Sequence, residues 1–326
     1  MHPAFSVIFL TTLIGAGQGL FLALFTGQVY SLLDFIPAQD HQTFYGLGSF
    51  LALFLMAGGL IASFFHLGHP ERAWRSMAMW RTSWLSREVI VLPIFMFFLA
   101  LYGLIHYMQW TQPLFHLSAS IPVDASLLVG FVATFVALVL FVCTGMIYAC
   151  LKFLQEWHSP LTVLNFTLLG SASGFTLATV FAAYTAPDLL AFYLNWALIL
   201  TVLAAVGRGA SLLRNAKLRG RSTPQTAIGV RHTKVVQKSQ GSMGGSFNTR
   251  EFFHGKSELV VRNMRTLFLL LVFPLPIAFL LIGQANDSAV VLVAAFVLQY
   301  VGLIAERWFF FAEAKHPQNL YYQQIS

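Results

Sequence analysis

The chain has 326 residues, of which 57% are apolar and only 10% charged, and its mean hydropathy is +0.72. A soluble domain coats itself with roughly 25% charged residues, so water-soluble, disordered, collagen-like and disulfide-framework classes are excluded and a polytopic membrane protein is left. Two cysteines are too few to hold an iron–sulfur cluster or a Cys-rich zinc site within this chain, and the net charge of +7 has to be read by where it lies.

A membrane-spanning helix needs about 20 predominantly apolar residues. Eight such stretches are predicted, at 5–33, 44–65, 89–110, 125–153, 161–183, 188–213, 264–283 and 288–311. The first has no basic leader and no small-residue cleavage site, so it reads as a span and not as a signal peptide. Short breaks at Ser159-Pro160, Ala186-Pro187-Asp188 and Gln284-Ala285-Asn286-Asp287 separate later spans. Gly15-x-x-x-Gly19 in the first span and Gly170-x-x-x-Gly174 in the fifth permit close helix approach. Gln18, Asn165, Asn195 and Gln299 are intramembrane amides suited to bonding helices together, and Pro274 and Pro276 predict a kink in the seventh span. Cys143 and Cys150, seven residues apart on one helix, are too distant for a disulfide and read as small packing residues.

An even number of spans puts both ends of the chain on one side. On that side fall the segments 66–88, 152–160, 207–265 and 306–326, which hold all 19 Lys and Arg and every glutamate. The other side carries Asp34, Asp40, Asp124, Asp188 and Asp287 and no basic residue. Basic loops stay in the cytoplasm. The expected fold is therefore a single all-α integral membrane domain over 1–326, with eight transmembrane helices and both N- and C-termini cytoplasmic. A basic cytoplasmic face of this kind is topogenic and lipid-facing, and nucleic acid is not an expected partner. Every ionisable residue is expected at a span end, so the mid-membrane charges of a transporter are not in view.

Two cytoplasmic segments stand out. In 66–88, Pro70-Glu71 is a helix-start signal, and Trp74, Met77 and Trp84 recur with Arg72, Arg75 and Arg81 between them, as an interfacial helix would show. That plain reading leaves out the ends: His66 closes the second span and Glu88 opens the third, two titratable groups at the membrane edge where such groups are costly. The segment 214–261 is a long cytoplasmic loop with linker-like Gly and Ser stretches, followed by Phe247-Asn248-Thr249-Arg250-Glu251-Phe252-Phe253-His254-Gly255. Phenylalanines on a hydrophilic loop need a cover, either neighbouring helix ends or a docked cytoplasmic partner; Phe247, Arg250, Phe252, Phe253 and His254 are the candidate docking residues.

Of ten histidines, seven are on the basic side, and His41, His106 and His116 are near the other. No span carries two histidines on one face, so a haem-b cytochrome would have to use helix ends, such as His66 with His2 or His158. No metal-ligand set is predicted.

The run His66-Leu67-Gly68-x-Pro70-x-Arg72-Ala73, continuing to Leu85-Ser86-x-Glu88, resembles the signature of the membrane-anchor subunits of dimethyl sulfoxide reductase-type molybdoenzymes, the DmsC family. The likeness extends to the eight-span layout. The opening Met1-His2-Pro3-Ala4-Phe5-Ser6-Val7-Ile8-Phe9, the stretch from Asn248 to Gly255, the long 214–261 loop and the cytoplasmic placement of 66–88 are most similar to the branch serving cytoplasmic sulfite-oxidising molybdoenzymes, the sulfite dehydrogenase (quinone) type.

That resemblance implies an anchor without haem, in the bacterial inner membrane, holding a four-cluster ferredoxin-like iron–sulfur subunit and a molybdopterin-bearing catalytic partner on its cytoplasmic side. Molybdopterin and [4Fe-4S] clusters would lie only in those partners. It also implies quinone binding, to ubiquinone or menaquinone, at the positions matching His66 and Glu88. Electrons would pass from sulfite oxidation to the quinone pool, or in the opposite sense from quinol to dimethyl sulfoxide or another S- or N-oxide. Quinone reduction takes two electrons and two protons. His66 is the expected ligand of a quinone carbonyl and Glu88 the proton relay, with Arg72, Arg75 and Arg81 at the quinone site or docking the iron–sulfur subunit. A pure anchor, a haem cytochrome and a transporter are the competing classes.

Overall fold

The computed structural model describes residues 1–118, 121–218, 223–232, 234–236, 252–317 and 319. Among them are eight helical spans long and apolar enough to cross a membrane. They are α1 (Phe5–Leu32); a π-helical turn His41–Gly46 running into α2 (Leu47–Phe64); α3 (Trp84–Tyr107); α4 (Ala125–Ala149); α5 (Pro160–Thr185); a 3-10 turn Pro187–Leu189 running into α6 (Leu190–Ala216); and, after the short α7 (Pro224–Ile228), the kinked pair α8 (Glu258–Val272) and α9 (Pro274–Ala285), then α10 (Ala289–Glu313).

The breaks follow local chemistry. Asp40 accepts from the Thr43 backbone N–H at 2.6 Å, which starts the second span three residues before the predicted edge. Ser83, Asp124 and Ser159 cap α3, α4 and α5 in the same manner. Phe273, with φ −113° and ψ −77°, separates α8 from α9 just before Pro274, so the proline kink falls where expected. α8 begins at Glu258, six residues earlier than its apolar run, with Arg262 exposed on that extension and Arg265 exposed just inside the run.

One element departs from the all-α expectation. Pro113–Ser118 and Ile121–Asp124 pair as a short antiparallel hairpin between α3 and α4. Its residues sit in the non-helical part of the longest aspartate-side connection, where unpaired backbone groups need partners.

α1 and α5 form the centre of the bundle. α1 packs on α2, α4, α5 and α10, and α5 packs on α1, α4, α6 and α10. α5 has the lowest mean hydropathy of the eight spans, 1.5, yet it is the most buried. The reason is its hydroxyls. Ser173, Thr176 and Thr179 donate to the carbonyls of Gly170, Ala172 and Phe175, each at 2.9 Å, so they are satisfied within their own helix and stay small enough for close packing. The two glycine motifs meet each other: a Cβ on Gly19 would run into the Gly170 carbonyl, and one on Gly174 into the Gly19 backbone.

Three of the four intramembrane amides join helices. Gln18 donates to the Ala137 carbonyl at 3.1 Å, Asn165 to the Ser211 hydroxyl at 2.7 Å, and Gln299 to the Thr201 hydroxyl at 3.2 Å. Asn195 instead faces outward. Cys143 is buried as a packing residue, whereas Cys150 is exposed at the end of α4.

Both ends of the described chain lie at one end of the bundle, where the Met1 amino nitrogen donates to the Ala314 carbonyl at 2.7 Å. An aromatic cluster closes that end: Tyr148, Trp157, Phe166, Phe310 and Phe311, with the Trp157 indole N–H on the Phe310 carbonyl at 2.9 Å.

Candidate functional site

Pro70–Met79 forms a 3-10 helix, amphipathic and fully open to its surroundings, which bears out the start signal at Pro70. Arg87 ties it to α3. Its guanidinium donates to the carbonyls of Trp80 and Arg81, each at 2.8 Å, and lies 4.2 Å over the Trp84 ring. With Arg87 held outward, the next residue turns inward. Glu88 accepts a hydrogen bond from the Thr144 hydroxyl of α4, instead of pairing with the arginines of its own segment.

Glu88 and Thr144 line a cavity of about 20 Å³, together with Gln18, Phe166, Ser173 and Arg307. That volume suits one water; a quinone ring does not fit it.

The far wall of this cavity corrects one expectation. Arg208, Glu306 and Arg307 were expected at span ends among the basic loops. Instead all three are buried inside α6 and α10, at 2%, 1% and 4% exposure. Arg208 Nε is 2.7 Å from Glu306, Arg307 is 3.2 Å from the same carboxylate, and Glu313 is 3.9 Å from Arg208. The Arg307 guanidinium stacks 3.7 Å over Phe166. Burying unpaired charge costs several kcal/mol per ion, so the opposite charges are brought close enough to neutralise one another. A second cavity, of about 10 Å³, is lined by Glu156, Arg208, Glu306 and Arg307, and shares Arg307 and Phe166 with the first.

The other predicted residues are placed apart from this core. His66 lies in the turn after α2, exposed, with its backbone N–H on Ser63, and it does not line the cavity that Glu88 lines. Partial desolvation lowers its pKa below the ordinary histidine value, so at pH 7 the ring is neutral with one N–H to donate. Arg72 pairs loosely with Glu71 at 3.6 Å, and Arg75 and Arg81 lie over the rings of Trp74 and Trp80. All three arginines are exposed, Arg72 and Arg75 on the 3-10 helix and Arg81 in the turn after it.

Of the loop residues, Phe247 and Arg250 lie outside the described residues. Phe252 stacks face to face on His316 at 3.7 Å, and its carbonyl accepts from Asn319 at 3.0 Å. The C-terminal segment of the same chain is therefore the cover for Phe252. His254 approaches Trp308, with ring centroids 6.2 Å apart, and burial lowers its pKa. Phe253 also makes contacts of its own.

His158 is turned to the Ala149 carbonyl at 2.6 Å. At the aspartate-bearing end, His41 and His106 face each other with their Nδ1 atoms 2.9 Å apart, a hydrogen-bond distance. Beside them a cleft of about 370 Å³ opens, lined by Gln28, Asp34, His41, Tyr45 and Asp124 among others.

Sequence reasoning missed Arg208, Glu306 and Arg307. A signal was present: Glu306-Arg307 sits inside an unbroken apolar run and is followed by Trp308-Phe309-Phe310-Phe311. A charge pair abutting four aromatics on a span is better placed inside a bundle than in water.

A family model described as DMSO reductase anchor subunit (DmsC) matches residues 1–313. The chain is also 59% identical over 326 residues to a sulfite dehydrogenase subunit of Allochromatium vinosum, with 100% of each chain covered. The likeness runs the length of all eight spans, and the chain belongs to the DMSO reductase anchor subunit (DmsC) family.

Proposed function

We propose that this chain anchors a molybdenum and iron–sulfur oxidoreductase to the cytoplasmic face of the bacterial inner membrane and passes electrons from sulfite oxidation to quinone. The full-length likeness to a sulfite dehydrogenase subunit supports the anchor and its substrate system. For the quinone half, the reading rests on one observation: Glu88 is turned off the membrane edge onto Thr144 and a water-sized cavity inside the bundle.

The ring itself would lie at the bundle surface. There the neutral His66 donates its N–H to one carbonyl oxygen while Glu88 delivers protons from within. Arg72 and Arg75, exposed on the 3-10 helix, and Arg81, exposed in the turn after it, present positive charge to the iron–sulfur partner or to the ring's edge. The 214–261 loop, through Phe247, Arg250, Phe253 and His254, completes the docking face. Phe252 contributes by fixing that loop to the C-terminal segment.

The test is purification of the complex in mild detergent with its partners, followed by His66→Ala and Glu88→Gln. Both variants are expected to co-elute with the partners and to lose about 100-fold or more of the quinone reductase rate. Assembly with undiminished quinone reduction in both overturns the quinone role. A Soret band in the wild-type preparation favours the cytochrome reading, and a chain that purifies alone favours the transporter. Turnover only from quinol to an S-oxide would reverse the electron flow, as the family's name allows.

A further inference from the structure

We propose that the two adjacent cavities, which share Arg307 as a lining residue, serve as a proton intake from the terminus-bearing end of the bundle to Glu88, with Glu156 as its outer carboxylate. The proposal rests on the quinone reading above and deepens it: it names how Glu88 is reloaded.

Glu88 is half-buried, and its carboxylate turns inward, so a route from within the bundle can serve it. Its carboxylate is held by Thr144, and the inner cavity beside it has room for about one water. The wall opposite Glu88 is Arg307, which also lines the outer cavity, where Glu306, Arg208 and Glu156 meet. Glu156 is half-buried in the connection between α4 and α5, so it reaches both the aqueous end and the outer cavity. No other carboxylate is common to an aqueous loop and either cavity among their described lining residues.

Two buried guanidinium groups on the route would by themselves repel a proton. Here carboxylates offset them: Arg208 and Arg307 are met by Glu306 at 2.7 and 3.2 Å, by Glu313 at 3.9 Å from Arg208, and by Glu156 on the cavity wall. Two cations against three carboxylates leave a path that attracts protons, and the ion pairs hold polar walls around each water. Glu306 and Arg307 are positioning residues in this scheme. Glu156 and Glu88 carry the proton.

For each quinone reduced to quinol, two electrons come from the docked iron–sulfur partner and two protons pass from Glu88 to the two carbonyl oxygens. Glu88 is reprotonated twice from Glu156 along water that would bridge the two cavities beside Arg307, and Glu156 recovers its protons from cytoplasmic water.

The experiment uses the whole complex and a short-chain ubiquinone analogue. Glu156→Gln is expected to lower kcat about ten-fold with KM for the quinone unchanged. Glu156→Asp should retain most of the rate, and added acetate should restore turnover in Glu156→Gln, as a diffusible proton carrier would. A purely structural role for Glu156 would not respond to acetate. Should Glu156→Gln fail to assemble with its partners, Thr162→Val, a same-size change on the outer cavity wall, is read by the same loss and the same acetate response. Full activity in the assembled variant, or a loss that acetate does not relieve, overturns the intake route. If Glu88→Gln is inactive in either case, the quinone reading stands while the route falls. If Glu88→Gln and His66→Ala both turn over normally, the quinone reading itself falls.

Discussion

At the scale of single residues, two kinds of position hold this protein together: glycines where backbones touch, and charges that neutralise one another out of water. Gly19, Gly170 and Gly174 let α1 and α5 meet without side chains between them. Without a hydrophobic driving force between helices in lipid, such contact is what associates them. Gly174→Ala should therefore destabilise the bundle by about 1–3 kcal/mol, the usual cost of overpacking. Gly209→Ala, whose added methyl would meet nothing within 4 Å, should leave stability unchanged. Thermal or detergent-titrated unfolding of the two variants reads the difference, and equal midpoints would show that the α1–α5 contact yields. The glycine spacing was legible in the sequence because it is a pattern along one helix. The Arg208–Glu306–Arg307 cluster was not, because a tally of charge by side counts every arginine near a span end alike, whatever its depth. Which of them turns inward depends on α5, α6 and α10 being neighbours, and that is a tertiary fact.

Among the elements, the start of α5 at Ser159-Pro160 and the kink at Phe273-Pro274 fall where expected, whereas α3, capped by Ser83, begins at Trp84, ahead of the predicted edge at 89. Boundaries were also missed where the helix continued past the apolar run, as in α8, or where the chain formed the β hairpin at 113–124. The hairpin has no alternating pattern strong enough to set it apart from a loop. The 252–256 segment illustrates a third case, since its cover, the segment around His316, is more than 60 residues away in sequence. Phe252 on His316 and His254 beside Trp308 bind the loop to the end of α10. Burial lowers the pKa of both histidines, and His2, Lys256 and the Met1 amino group add positive charge nearby. The folded segment therefore prefers neutral imidazoles. Its docking should be complete above the ordinary histidine pKa and weaken as pH falls below about 6.5, where the undocked form binds protons first. Hydrogen exchange in 252–256, corrected for intrinsic rates, should show protection at about pH 7.5 that is reduced at about pH 5.5. Protection that rises on acidification would contradict the sign.

For the whole molecule, the end that bears the termini is also the end that bears the 66–88 segment, the 252–256 segment and Glu156. All the features proposed here to meet a partner, electrons or protons thus lie on one side, and the aspartate-bearing end has none of them. This has an energetic consequence. If electrons and protons reach the quinone from the same compartment, each turnover moves no net charge across the bilayer. An enzyme that took its protons from the opposite side, through the cleft beside His41 and Tyr45, would instead move charge across the bilayer, at about 2.3 kcal/mol per charge for every 100 mV. The complex reconstituted in sealed liposomes with quinone should therefore reduce it without any response from a potential-sensitive dye, and the rate should not rise when an uncoupler is added. A reporter fused after Ser326 that is active only in the cytoplasm should accompany that result. A dye response abolished by uncoupler would move proton intake to the aspartate side, and a reporter active only outside the cytoplasm would invert the protein in the membrane and remove the basis for the intake at Glu156.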